Sequence, residues 1–500
     1  MQAVRLFFFL GVLLIPFNGV KGVGALGELR SELCVYPFML AMAACGAVLV
    51  YQTAFPVDRR LRPPFEWDRN FLFTLFAGVG LVFLLSILTN VSGISTSYFH
   101  ERTGWSKVIT SLTVIAYGMM LSLLASQLVR RRWEELIILP ITISAMLCVG
   151  YAAFEMLANH GVLSALYNKI NPIVHANALN ITVQWNGKVN LKVTDEWDTR
   201  LKSLCFEPPA LGNFSGFAWP WVLGGVMSST GRKRTAYTAA LVLFTLLIVV
   251  AKARTGWIML AANGLVWFLL KHVYLRPVRS SYNPALGRPL AILMAVAVAC
   301  GIAAYALAFP HLTRNVIEGG SVSNLTRFAS ETSAFNMFFD HPIFGVGFGQ
   351  YAFHDAQYMP SWGYMSYELR PWLIYPAAPW PAVFSIYARL AAETGIVGLA
   401  CWIALWLGLS IRTAAASHKF AQQEGSIPAV AYPLIMNFIG VLVAGAASDT
   451  FRTPMIWIAL GMGAAYLSGL DKVSATARTA NRRIIPGVRA GLATSGGNAG

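Results

Sequence analysis

Two cations in a short break between apolar runs are the first residues of this chain that could do chemistry. "IVVAKARTGWIML", Ile248 to Leu260, stops for Lys252 and Arg254 and then resumes. A guanidinium offers five donors in a planar fork that matches phosphate oxygens, and the N-terminus of a following helix favours an anion. The pair therefore reads as a diphosphate clamp. The other reading is an interfacial anchor, in which long basic side chains snorkel to lipid headgroups.

What positions this turn is a membrane domain. The chain has 500 residues, 56% of them hydrophobic and only 12% charged, with a mean hydropathy of +0.57, values outside the range of a soluble domain. A helix crossing the ~30 Å hydrocarbon core needs about 20 mostly apolar residues, and about twelve such runs are present. They lie near Leu6 to Val20, Val35 to Tyr51, Phe71 to Val91, Val108 to Leu128, Leu136 to Met156, Gly212 to Ser229, Tyr237 to Ala251, Gly256 to His272, Pro289 to Phe309, Val383 to Ile411, Val430 to Ala447 and Pro454 to Leu470. The expected fold class is all-α, a polytopic membrane protein of about twelve transmembrane helices.

Lys and Arg set the orientation, because short cytoplasmic loops retain positive charge. Alternate gaps hold Arg59, Arg60, Arg62 and Arg69, then Arg130 to Arg132, Arg232 to Arg234, Lys271 to Arg288, Arg412 and Lys419, and finally the tail from Lys472. With Arg5 they carry roughly 22 of the 38 basic residues against about 7 acidic ones, while the other gaps are near balance. Both termini are thus expected in the cytoplasm, and Arg5 with its apolar run is kept as a helix because no small-x-small cleavage site follows. The same distribution explains the net charge of +16 by topology and anionic lipid, and argues against nucleic acid as a partner.

Other chemistries find little support. Cys45, Cys148, Cys300 and Cys401 fall inside expected spans, no Cys/His spacing suggests a metal, and no P-loop occurs, so neither a metal nor another cofactor is expected. Residues 1–470 form the expected transmembrane domain, and 471–500 a basic, disordered cytoplasmic tail. Two long gaps on the outer side, about 158–211 and 310–382, are rich in aromatics, Pro and Gly and are read as building a site at the outer face. Within the second, "SWGYMSYELRPWLIYPAAPWP" offers rings that suit sugar faces or an interfacial belt.

Four segments carry a family resemblance. "AKARTGWIMLAANGLVWFLL" is similar to the Ser-Arg-(Ser/Thr)-Gly turn and helix of the O-antigen ligase and O-antigen polymerase family. That family then shows a long external loop with an Arg, a His-Pro segment rich in glycine, and a helix running into Glu-Thr-Gly. The counterparts here are Arg327 in "NLTRFASETSAFNMFF", "DHPIFGVGFGQYAF" from Asp340, and "RLAAETGIVGLACWIAL" from Arg389, in that order, so that the likeness covers roughly Gly212 to Gly408. The resemblance implies a metal-independent glycosyltransferase whose donor is a glycan on undecaprenyl diphosphate. The acceptor would be a glycan or lipid A-core, with a chain-length regulator as a further partner the family allows. Arg254 and Arg327, helped by Lys252, would stabilise the leaving diphosphate.

The chain departs from that pattern at one place. Many members carry a His-Asn pair about eleven residues before the Gly of Glu-Thr-Gly, as acceptor base or positioner; here the residues are Phe384 and Ser385. Either His354, Asp355 or Glu368 of the same loop takes over, or the diphosphate leaves without base assistance. Arg389 and Glu393, four apart on a helix, read as a mutually neutralising pair or as a cation that reaches the diphosphate. His341 reads as loop-fixing, and Glu207 as facing the site or capping its loop. Three functions remain in view: a polymerase of lipid-linked repeat units, which the missing His-Asn favours; a ligase onto lipid A-core; and a transporter or flippase, against which the lack of an internal repeat counts.

Overall fold

The computed structural model of the chain describes residues 2–54, 69–176, 180–183, 189–192, 200–271, 322–375 and 380–470. The expected run at 289–309, the basic loops at 59–62 and 276–288, and the tail at 471–500 lie outside them. Each of the other expected runs falls in a helix. In chain order these are α1 (Gln2–Leu13), α2 (Val35–Ala54), α3 (Arg69–Thr89), the short α4 (Val91–Thr96), α5 (Gly104–Leu128), α6 (Leu139–Asn159), α7 (Ser164–Val174), α8 (Pro208–Ser228), α9 (Gly231–Val250) and α10 (Arg254–Leu269). They continue with α11 (Val322–Asp340), α12 (Tyr351–Tyr358), α13 (Leu369–Ile374), α14 (Ile386–Glu424), α15 (Ala431–Ala444) and α16 (Pro454–Leu470).

Two small antiparallel hairpins, β1 (Tyr98–Phe99) with β2 (Arg102–Thr103) and β3 (Asn180–Val183) with β4 (Val189–Lys192), are the only sheets among the described residues. By length and composition, four helices can cross a membrane: Gly104–Leu128, Glu134–Asn159, Gly231–Val250 and Ile386–Glu424. The protein is thus an all-α polytopic membrane protein.

Two boundaries differ from the hydropathy reading for local reasons. The first helix ends at Leu13 because Pro16 cannot continue it, and the chain folds back so that Leu33 N–H donates to Phe17 O at 2.9 Å. The tenth run continues to Glu424, well past its apolar part, because "TAAASHKFAQQE" consists largely of good helix formers, and it stops at Gly425 with φ 74°.

Helix α8 is the central element, packing on α9, α10 and α15. Its small residues allow close approach: a Cβ at Gly212 would lie 2.7 Å from Gly256 N of α10. Buried polar groups then fix the register. Asn437 of α15 accepts from Trp221 Nε1 at 3.0 Å and donates to Phe217 O at 3.2 Å, while Asn263 of α10 donates to Gly216 O at 3.1 Å. Each satisfied amide is costly to leave unpaired in an apolar interior, so these pairs select one alignment.

Polar side chains sort to two ends. At one, Arg130 donates to Ser468 O at 3.2 Å and Lys233 pairs with Glu134 at 3.2 Å. At the other, the α1–α2 loop, the starts of α5, α8 and α14 and the α15–α16 loop converge. There Asn18 Oδ1 accepts from Phe206 N–H at 2.9 Å, and Glu155 at the end of α6 accepts from Ser203 N–H at 2.9 Å.

Candidate functional site

The framework of this loop-rich end is a broken helix. Gly395, inside α14, has φ 64° and ψ −160°, which interrupts the helical ladder and frees backbone groups that must find partners. The segment 341–350 supplies them: Ile396 N–H donates to Pro342 O and Val346 N–H to Ala392 O, both at 2.8 Å. Ser86 and Asn90 at the end of α3 close the junction, donating to Glu393 O at 2.7 Å and to Gly345 O at 3.1 Å. The glycine-rich segment and the Glu-Thr-Gly segment are therefore two halves of one backbone joint. This joint holds the first turns of α14 against α11 and α12.

Charged groups cluster beside it. Arg389 Nε lies 3.2 Å from Glu393 Oε2, and its Nη1 donates to Asp449 O at 2.8 Å while the guanidinium sits 5.4 Å from the Phe451 ring centre. Asp449 Oδ2 accepts from Val383 N–H at 2.8 Å. Lys107 pairs with Glu28 and lies 5.1 Å from the Trp380 ring centre. Burial raises the Glu28 carboxyl, but Lys107 with Arg389 and Arg452 more than offsets this and holds it below the usual range. The Arg327 guanidinium of α11 lies over the Phe384 ring, its Cζ 5.1 Å from the centroid, with no hydrogen-bond acceptor for its N–H groups among the described residues. Glu207, the N-cap of α8, makes no side-chain capping bond. Burial pushes its carboxyl up, against the pull of Arg327, Arg452 and Arg200.

Glu32 gives this end a pH response. Its carboxyl is buried, the Arg452 Nε is 3.7 Å away, beyond hydrogen-bonding distance, and burial raises it from 4.5 to about 7 against the pull of Arg452. A group whose folded pKa exceeds its unfolded value stabilises the fold below the unfolded value, and the contribution disappears as pH rises through the folded one. Thermal stability in detergent should therefore fall from pH 4.5 to about 7, by up to about 3 kcal/mol. Glu32→Gln should flatten this slope, and an unchanged slope in the variant would assign the titration to another group.

The residues expected from sequence do not all meet. Arg327 and Arg389 join one electrostatic field with Arg452, Asp449 and Glu207. Lys252 and Arg254 stand exposed at the same end, Lys252 in a left-handed turn at φ 53° and Arg254 as the first residue of α10. Their side chains have no partner among the described residues. Glu368 accepts from Thr326 Oγ1 at 3.3 Å, next door to Arg327. His354 is half-buried, with its pKa lowered by burial and by His341. Asp355 is fully buried and accepts from Tyr351 Oη at 2.7 Å; burial raises its carboxyl to about 6. That pair lies within α12, and α12 is tied to α11 by Tyr351 Oη, which reaches Ser330 O at 3.0 Å, and by Ser333, which donates to Asp355 O at 3.2 Å.

The aromatic segment divides. Trp362 and Trp372 pack around Leu369, whereas Tyr364, Met365 and Tyr367 are exposed. Glu28, Glu32, Lys107, Asp449 and Arg452 were not singled out from sequence. Their only signal was the near balance of charge in the outer gaps, which reflects pairing and not inertness. Beneath the α15–α16 loop a cavity of ≈ 50 Å³ is lined by Asn213, Asn437, Ser448 and Thr450, among others; that volume suits one or a few waters and not a sugar. Among the described residues no group of three or more His, Cys, Asp or Glu could hold a metal ion.

Residues 239–403 match a family model described as O-antigen ligase. No curated protein matches the chain. The matched stretch contains Lys252, Arg254, Arg327, Arg389 and both halves of the joint, while Glu28, Glu32, Lys107, Glu207, Asp449 and Arg452 lie outside it.

Proposed function

We propose, taking as premise the O-antigen ligase and polymerase family to which residues 239–403 tie the chain, that the protein polymerises lipid-linked repeat units of a surface polysaccharide, an O-antigen, capsule or exopolysaccharide. The donor is a glycan on undecaprenyl diphosphate, and the loop-rich end faces the periplasm of the inner membrane. The end bearing Arg130, Glu134 and Lys233 faces the cytoplasm, as the distribution of Lys and Arg requires. The observation that carries this reading is the state of the cations. Arg327, Lys252 and Arg254 present unengaged donors at the loop-rich end, whereas Arg389 is occupied by Glu393 and Asp449.

In the reaction the acceptor hydroxyl oxygen bonds to the anomeric carbon while the bond from that carbon to the diphosphate oxygen breaks, its electron pair leaving with the diphosphate. Fixed cations stabilise the charge that grows there without reorganisation. The hydroxyl proton passes to a carboxylate or to the departing diphosphate. Of the carboxylates, Glu207 lies in the field of Arg327 and Glu368 is hydrogen-bonded to Thr326, the residue before that arginine, while burial with a hydrogen bond from Tyr351 assigns Asp355 to packing. Phe384 and Ser385 in place of a His-Asn pair favour a polymerase over a ligase, as argued from the sequence.

The test is product analysis with purified protein in liposomes supplied with an undecaprenyl-diphosphate repeat unit alone. A ladder of lengthened lipid-linked glycans, lost in Arg254→Ala, supports the reading. Transfer only after lipid A-core is added would make the protein a ligase, and movement of lipid-linked sugar across the bilayer without a new bond would make it a transporter.

A further inference from the structure

We infer that Phe384 is a positioning residue that holds Arg327 by the face of its guanidinium and so leaves the edge of that group to the diphosphate. The inference rests on the reading of Arg327 as a diphosphate ligand. The geometry distinguishes Arg327 from its neighbours. Arg389 also lies over a ring, at 5.4 Å from Phe451, but its donors are taken by Glu393 and Asp449 O. Arg452 faces Glu32. Arg327 is over Phe384 at 5.1 Å and has no acceptor among the described residues.

A carboxylate partner would fix an arginine by occupying its in-plane N–H groups and cancelling its charge. A ring fixes it from below and does neither. The neighbouring residue, Thr326, is tied to Ser366 at 2.6 Å and to Glu368 at 3.3 Å, so the backbone carrying Arg327 is pinned as well.

The ring is itself placed by force. Phe384 has φ 64°, a left-handed conformation that bulky residues avoid, at a cost on the order of 1–3 kcal/mol. Such a conformation persists where flanking contacts over-determine it. Here Val383 N–H donates to Asp449 Oδ2 at 2.8 Å, Ser385 caps α14 by accepting from Ala388 N–H at 3.4 Å, and Ile386 N–H donates to Gly445 O at 2.9 Å. Trp372 lies 5.9 Å from the Phe384 ring and backs it. The α15–α16 loop, outside the matched family segment, thereby sets the angle at which the ring meets Arg327.

The experiment measures binding of undecaprenyl diphosphate to the full chain in nanodiscs, together with KM and kcat for the lipid-linked repeat unit, in Phe384→Leu, Phe384→Tyr, Arg327→Ala and the Phe384→Leu/Arg327→Ala double variant. Phe384→Leu should weaken binding about tenfold and raise KM in step, and Phe384→Tyr, which keeps the ring, should bind within about twofold of the parent. In the Arg327→Ala background Phe384→Leu should add nothing, since the partner it positions is gone. An equal loss from Phe384→Leu with and without Arg327, or a loss in Phe384→Tyr as large as in Phe384→Leu, would overturn the positioning role while leaving Arg327 as a ligand. Unchanged binding in Arg327→Ala would instead overturn the diphosphate reading on which the inference stands.

Discussion

Arg327→Ala should reduce transfer from the lipid-linked donor by about 10²- to 10³-fold while the protein still inserts and unfolds at its usual temperature. The size follows from chemistry: a preorganised donor to a leaving group that gains charge contributes about 3 to 4 kcal/mol to the barrier, and each 1.4 kcal/mol is about tenfold. The stability expectation follows from structure. Arg327 is half-buried and makes no direct contact with a carboxylate, and the acid in its field, Glu207, is already pushed up by burial and can take a proton when the cation is removed. Arg327→Lys should recover little, because an ammonium has neither a planar face for Phe384 nor a fork for two phosphate oxygens. Initial rates of glycan lengthening at matched protein levels decide the matter. Activity within threefold of the parent would return Arg327 to a loop-packing residue.

Gly395→Ala should be strongly destabilising. At φ 64° and ψ −160° the backbone occupies a region essentially restricted to glycine, and an added Cβ would meet Ile343 O at 2.3 Å and Phe344 N at 2.7 Å. These are backbone atoms held by the bonds from Ile396 and Val346, so they cannot step aside. Conformational strain and overpacking together predict a loss of about 3 to 5 kcal/mol. Gly408, thirteen residues on in the same helix, has nothing within 4 Å of an added Cβ, and Gly408→Ala should be neutral or stabilising by up to about 1 kcal/mol. Thermal unfolding of the two variants in detergent separates the accounts: equal midpoints would mean that the joint tolerates a side chain and does not organise the site.

Particular residues show how far the sequence could be read. The arginine turn, the glycine-rich segment and the Glu-Thr-Gly segment were recognisable and in order. That the last two form one joint was not legible, because Pro342 and Ile396 are far apart in the chain and the bond between them leaves no local pattern. His354 and Asp355 looked equivalent to Glu368, as ionisable residues of one polar loop. Packing separates them: Asp355 is buried where α12 meets α11, while Glu368 is hydrogen-bonded to Thr326, the residue before Arg327. Glu28, Lys107, Asp449 and Arg452 gave no signal beyond a balanced count.

Hydrophobicity determined, without coordinates, that the chain is a helical membrane protein, and the placement of Lys and Arg gave the side on which each loop is expected. These are properties of short windows, each paid for by local transfer energies. Only the tertiary structure decided which of the emerging charges meet, which are neutralised and which keep their donors open. That choice depends on contacts between residues on different elements, such as Arg389 with Asp449 or Arg327 with Phe384, where a single Å changes an ion pair into an unengaged cation.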